Sequence, residues 1–213
     1  MRSLRRVWIG LFVVFLVVPS TKAYSLTIDF ESLLDFEDLT SQYASLGVTF
    51  SNTTALTAGI SLNESEFPPL SGSNVVFDNG GAMSILFDFA VDSVGGYFTY
   101  VGPLTFVAYD TTNAIVGSAT SVFDSNLALS GTSGSTPNEF LQLAFASGIN
   151  RIIITGDPAG GSFTLDDLIF TTMTTAVTEP VTLVLFFVGG VMLLLVRRGR
   201  RKAVSTHHTV ATA

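Results

Sequence analysis

Phe163-Thr164-Leu165-Asp166-Asp167-Leu168-Ile169-Phe170 is the stretch whose reading decides the fold. Apolar and polar residues alternate along it, the period of a strand with one face on a core. Ser84-Ile85-Leu86-Phe87-Asp88-Phe89 repeats the pattern. Working outward, further short β-type runs lie between clusters of Gly, Asn, Asp, Ser and Pro. The expected strands are Ser25–Glu31, Gly47–Ser51, Asn74–Phe77, Met83–Phe89, Val94–Tyr100, Leu104–Tyr109, Ala114–Ser121, Phe140–Phe145, Arg151–Thr155 and Ser162–Phe170. Before Val181 no helical period is sustained beyond a turn or two around Asp35–Leu46. Many short strands at close spacing predict an all-β domain, an antiparallel β-sandwich of jelly-roll type.

Charge is partitioned along the chain. Residues 24–178 hold sixteen of the seventeen acidic residues and a single basic one, Arg151, a net charge of −15. The other nine basic residues flank this span. A surface so negative repels nucleic acid and anionic lipid. The span has no Cys, His, Lys or Trp. Disulfides are therefore excluded, as are Ser-His-Asp and Cys-His catalysis, His or Cys zinc sites and lysine Schiff bases. Only carboxylate chemistry remains, an acid pair of glycosidase type or a hard-metal site. No spacing singles out such a pair, and a non-enzymatic domain is the expectation. Arg151, the lone cation, is expected to pair with a carboxylate.

The ends read as membrane addresses. Arg2, Arg5 and Arg6 precede the apolar Val7–Val18, and Thr21 and Ala23 supply the small residues of a cleavage site. Residues 1–23 are thus expected to be a signal peptide cut by signal peptidase after Ala23. After a polar, threonine-rich stalk, 171–178, comes Glu179-Pro180. The uncharged run Val181–Val196 follows, then Arg197, Arg198, Arg200, Arg201 and Lys202. As a helix the run would be about 24 Å long at roughly 1.5 Å per residue, short of a bilayer core of about 30 Å. Snorkelling arginine stems can cover the difference. The basic cluster predicts a cytoplasmic 197–202 and tail, 203–213, with the ectodomain outside.

This order of leader, acidic β-rich domain, Glu-Pro, short apolar helix and arginine cluster resembles the PEP-CTERM proteins. Thr178 stands where that family carries its first proline, and eleven residues follow the basic cluster. Within the ectodomain the resemblance continues in order. It runs through Ile28-Asp29-Phe30-Glu31, Gln42–Phe50, Ser71-Gly72-Ser73-Asn74-Val75, Ser93-Val94-Gly95-Gly96-Tyr97-Phe98 and Phe163–Phe170. The resemblance implies export by a Gram-negative, exopolysaccharide-producing cell and recognition by exosortase, an intramembrane transpeptidase-like enzyme. Glu179 and Pro180 would be the recognition pair, and Arg197, Arg198, Arg200 and Arg201 part of the retention signal. It also implies a jelly roll like those of carbohydrate-binding modules.

Two candidate sites follow. If the first and last strands lie side by side, Asp29, Glu31, Asp166 and Asp167 could hold a structural calcium ion, which takes six to eight oxygens. The bland reading leaves these carboxylates in solvent. For polysaccharide, Tyr43, Tyr97, Tyr100 and Tyr109 are the tyrosines that could stack on a pyranose ring, although each also suits simple packing. Three functions are consistent with this. They are a surface-sorted display or adhesion protein of the exopolysaccharide matrix, a calcium-stabilised lectin-like module, and a carboxylate-based glycoside hydrolase.

Overall fold

The structure is a computed structural model and describes residues 24–172 and 189–191. Among these, nine strands form one hydrogen-bonded network: β1 (Tyr24–Ile28), β2 (Val48–Ser51), β3 (Thr53–Thr57), β4 (Asn74–Asp78), β5 (Met83–Tyr100), β6 (Thr105–Tyr109), β7 (Ile115–Thr120), β8 (Glu139–Thr155) and β9 (Phe163–Thr172). Every strand pairing is antiparallel. The helical expectation at Asp35–Leu46 shrinks to one 3-10 turn, Ala44–Leu46. The signal peptide with Ala23, and the sorting residues Glu179, Pro180, Arg197, Arg198, Arg200 and Arg201, lie outside the described residues. Among those described, no helix is long and apolar enough to cross a membrane.

Two strands are far longer than the sequence suggests. Met83–Phe89 and Val94–Tyr100 are one strand, and so are Phe140–Phe145 and Arg151–Thr155. Register shifts between Leu86, Val91 and Ser93 mark where this pair bends together. An extra residue bends a strand without ending its pairing, so polar positions that read as turns are passed through. Each half then serves a different layer. The first half of β5 pairs with β2 and with the end of β8, which continues to β6 and β7. Its second half pairs with the start of β8 and with β9. β9 in turn holds β1 along one end and β4 along the other, with β3 outside β4.

The layers close on a phenylalanine-rich core. Phe98 of the β9 layer meets Phe106 of the β6 layer at 5.8 Å between ring centroids, and Phe87 meets Phe170 at 5.2 Å. Phe30, Phe98, Phe106, Phe163 and Phe170 are fully buried among Ile, Val and Leu. This is the sandwich-like, antiparallel all-β architecture expected.

β9 departs from strict alternation in an informative way. Phe163 and Leu165 point into the core, and so do Leu168 and Phe170, two pairs of opposite phase. An extra residue reconciles them: Gly95 faces Ile169 while Tyr97 faces Asp166. Asp167 takes a left-handed φ of 45° at this bulge, which an aspartate tolerates better than most residues.

Phe98 sits against both Phe106 and Phe163, so Phe98→Ala removes a ring that nothing nearby can replace. The expected cost is about 3–5 kcal/mol, read from urea denaturation. A loss below about 1 kcal/mol would mean that the layers do not meet there.

Candidate functional site

Three of the four acidic residues singled out in the sequence, Glu31, Asp166 and Asp167, meet on one loop. β1 runs beside β9, as expected of first and last strands, and brings Glu31 close to the chain ahead of β4. Glu31 accepts hydrogen bonds from the Ser73 amide at 3.0 Å and the Asn74 amide at 2.8 Å. Asp166, 1% exposed, accepts the Leu70 and Ser71 amides at 2.7 and 3.0 Å on Oδ2, and the Asp167 amide at 2.7 Å on Oδ1. The Ser71 hydroxyl donates to Asp167 Oδ1 at 3.1 Å. The segment Leu70–Asn74 is thus a strap held between two carboxylates. At its centre Gly72 has φ +53°, and a Cβ there would run into the Glu31 carboxylate. Only glycine meets both demands.

Calcium does not fit this arrangement. Both oxygens of Glu31 and of Asp166 already face N–H groups, whose positive ends would repel a cation. Asp29 is exposed and accepts only the Glu31 amide, at 3.3 Å. Among the described residues, no group of three or more His, Cys, Asp or Glu could hold a metal ion. Three further acids, Asp35, Glu37 and Asp38, lie close together in Leu34–Leu39 and are used in the same way. Asp35 takes the Thr57 amide, Glu37 the Leu34 amide, and Asp38 the Thr54 hydroxyl.

Burial pushes the Asp166 carboxyl up to about 6, aided by the neighbouring Asp167 charge and opposed by the strap amides. Asp78 is raised for the same reason; it is fully buried and holds the Ser162 and Phe163 amides. A raised carboxyl pKa is the mark of a general acid, but it needs a substrate within reach. Both of these groups are turned to main-chain amides.

The four tyrosines separate. Tyr100 is fully buried; its hydroxyl donates to Glu139, and burial pushes its pKa up to about 12. Tyr43 packs edge-on against Phe30 and Phe50, at 6.1 and 6.2 Å. Tyr109 lies under Arg151, whose guanidinium carbon sits 4.6 Å from the ring centroid. The lone cation thus stacks on an aromatic ring, and the expected ion pair is not seen among the described residues. Its buried Nε has no hydrogen-bond partner among the described residues.

Tyr97 alone has a partner in the open. Across the strand pair it faces Phe140, with centroids 4.9 Å apart, and Phe140 is 41% exposed. The Phe140 ring tip reaches over Gly95: a Cβ there would stand 2.9 Å from Phe140 Cζ and 2.8 Å from the Leu141 carbonyl oxygen. Phe140 is not among the aromatic residues that the sequence points to. The glycine pair inside a strand pattern was the available signal, since such glycines mark close approach.

Two measurements test this account of the acids. Folded Asp166 holds its proton to about pH 6, whereas an unfolded aspartate releases it near pH 4. The folded state binds more protons in that window, so this group's contribution to stability falls as pH rises through it. The melting temperature is expected to be higher near pH 5 than at neutrality, and Asp166→Asn should flatten the difference. Equal slopes would mean that Asp166 titrates as an ordinary carboxylate. Millimolar calcium and a chelator are expected to leave the melting temperature unchanged, and a rise of several degrees with calcium would show that the strap yields to the ion.

No protein-family model and no curated protein sequence matches this chain. Among solved structures it is similar to the K2 cleaved adhesin domain of Lys-gingipain, at 14% identity and TM-score 0.44, over 70% of this chain and 100% of that one. A DUF4465 family protein from Bacteroides caccae is similar at 10% identity and TM-score 0.45, over 71% and 100%. A D114A mutant of a family 29 carbohydrate-binding module is similar at 14% identity and TM-score 0.38, over 71% and 93%. At these values the likeness assigns this chain neither a family nor a ligand.

Proposed function

We propose that this chain is an exported, surface-sorted, non-enzymatic display or adhesion protein of the cell envelope or exopolysaccharide matrix, sorted as PEP-CTERM proteins are. Signal peptidase cuts after Ala23. The jelly-roll-like ectodomain, 24–170, stands outside on its threonine-rich stalk. The run 181–196 anchors it in the inner membrane, with the arginine cluster on the cytoplasmic side. Exosortase then acts at Glu179-Pro180 and passes the domain to the surface or the matrix.

The partition of charge carries this reading. Nine of ten basic residues flank a domain of net charge −15, each group beside an uncharged apolar run. Cationic flanks are retained on the cytoplasmic side, and long domains follow the apolar segments across. The use of the carboxylates supports a non-catalytic role, because the buried acids described above serve main-chain amides.

The test is the intact mass of the protein recovered from cells, together with the fraction that holds it. A species beginning at Tyr24 and ending near Glu179, in the envelope or medium, is expected. A species running from Tyr24 to Ala213 in the inner membrane would remove the sorting step and leave an anchored domain. A species retaining Met1 in the cytoplasm would overturn export itself.

A further inference from the structure

We infer that the outer face of the β5–β8 pair, built on Phe140, Tyr97, Gly95 and Gln142, is a binding site for a neutral polysaccharide chain. This rests on the matrix association proposed above and gives it a surface and a ligand class.

The face is set by register. Val94, Phe98 and Leu141 turn into the core, which leaves Ser93, Gly95 and Tyr97 of β5 outward beside Phe140, Gln142 and Ala144 of β8. Side chains of one strand face alternate in this way whatever their polarity. At one end the strap closes over the sheet. Thr99, Thr164 and Asp166 are buried there, and Asn138 Nδ2 donates to the Pro68 carbonyl at 3.0 Å. Beyond Tyr97 the face opens, from the Tyr97–Phe140 pair down to Ser93, whose hydroxyl bonds that of Thr171 at 3.1 Å. The four residue steps from Ser93 to Tyr97 give a length of about 13 Å at roughly 3.3 Å per residue.

Phe140 does not stand upright in this trough. Its tip, Cζ, reaches across to Gly95 of the neighbouring strand, and the residue stays 41% exposed to solvent. A ring presented in that way offers a plane on which the apolar face of a pyranose can stack. Gln142 is exposed directly across from Gly95, where its amide can donate and accept for sugar hydroxyls. Tyr97 tilts at 43° to Phe140 and forms the side of the platform.

Charge selects the occupant. In a domain of net charge −15, the segments Ser93–Tyr97 and Phe140–Ala144 contain no charged residue. The surrounding field repels polyuronates and sulfated chains at low salt, and a neutral sugar polymer pays no such penalty. A protein partner recruited by charge would need contacts that this face lacks.

The test is affinity electrophoresis of the full chain through gels holding hydroxyethylcellulose, glucomannan, alginate or the producing cells' own exopolysaccharide. Retardation on at least one neutral polymer is expected, with no retardation on alginate. Phe140→Ala should weaken it about tenfold or more, the scale of losing a central aromatic anchor. Gln142→Ala, a change at an exposed side chain, should weaken it by a smaller factor with melting unchanged, which separates binding from folding. Retardation of both variants equal to that of the unchanged chain would overturn the site while leaving matrix association standing. Retardation on alginate alone would overturn the ligand class. No retardation on any gel, the cells' own polymer included, would overturn the polysaccharide site and leave the sorting reading to its own test, the intact mass. A dimer abolished by Phe140→Ala, with no polymer bound, would show that a second copy covers this face.

Discussion

A domain with sixteen acids and one cation has almost no ion pairs to make, and its structure depends on what replaces them. The replacement is the main-chain amide. Asp78 holds residues 162 and 163, Asp166 holds 70 and 71, Glu31 holds 73 and 74, and Glu66 holds 129 and 130. Asn126, fully buried, does the same for Tyr100 while donating to the Phe98 carbonyl. Each bond spans far in sequence and ties down a loop or a strand end that no disulfide holds. An unmet buried amide costs about 1–3 kcal/mol, so these acceptors hold their loops firmly. The acids gain partial positive charge without any lysine, and the fold gains its connections.

The second constraint is that one network of strands must supply two layers. β5 and β8 bend together and pass from one layer to the other, which places Phe87 and Phe98 of a single strand on opposite walls of the core. The bulge at Asp167 has a different effect. It lets β9 keep Leu165 and Leu168 inward while turning Asp166 toward the strap. The strap then closes one end of the outer face and leaves the rest open. Loop fixation and the exposed aromatic pair are in this sense one arrangement, because the closure ends at Tyr97, the cross-strand neighbour of Asp166.

Much of this was legible in the residues. Alternation in Phe163–Phe170 and Ser84–Phe89 announces strands packed on one face, and every expected strand overlaps an observed one. Thr53–Thr57 was passed over because its run, Thr-Thr-Ala-Leu-Thr, has little apolar contrast. The two long strands were split because Asp88, Asp92 and Gly148 look like turn residues when read locally. Whether a polar pair ends a strand or bulges within it depends on the strand alongside, which lies tens of residues away.

The candidate site divides in the same manner. The sequence by itself determined the fold class, the absence of imidazole and thiol chemistry from the ectodomain, and the charge partition along the chain, since each follows from composition and short-range period. It also drew attention to Glu31, Asp166 and Asp167, but not to what they meet. Only the tertiary structure showed that main-chain amides face the oxygens of Glu31 and Asp166, and the Ser71 hydroxyl that of Asp167. It alone separated Tyr100 in the core from the half-buried Tyr97, and added the exposed Phe140 beside it. Hydrogen-bond partners and exposure are properties of pairs brought together from distant parts of the chain, and no local pattern of residue types encodes which pairs will meet.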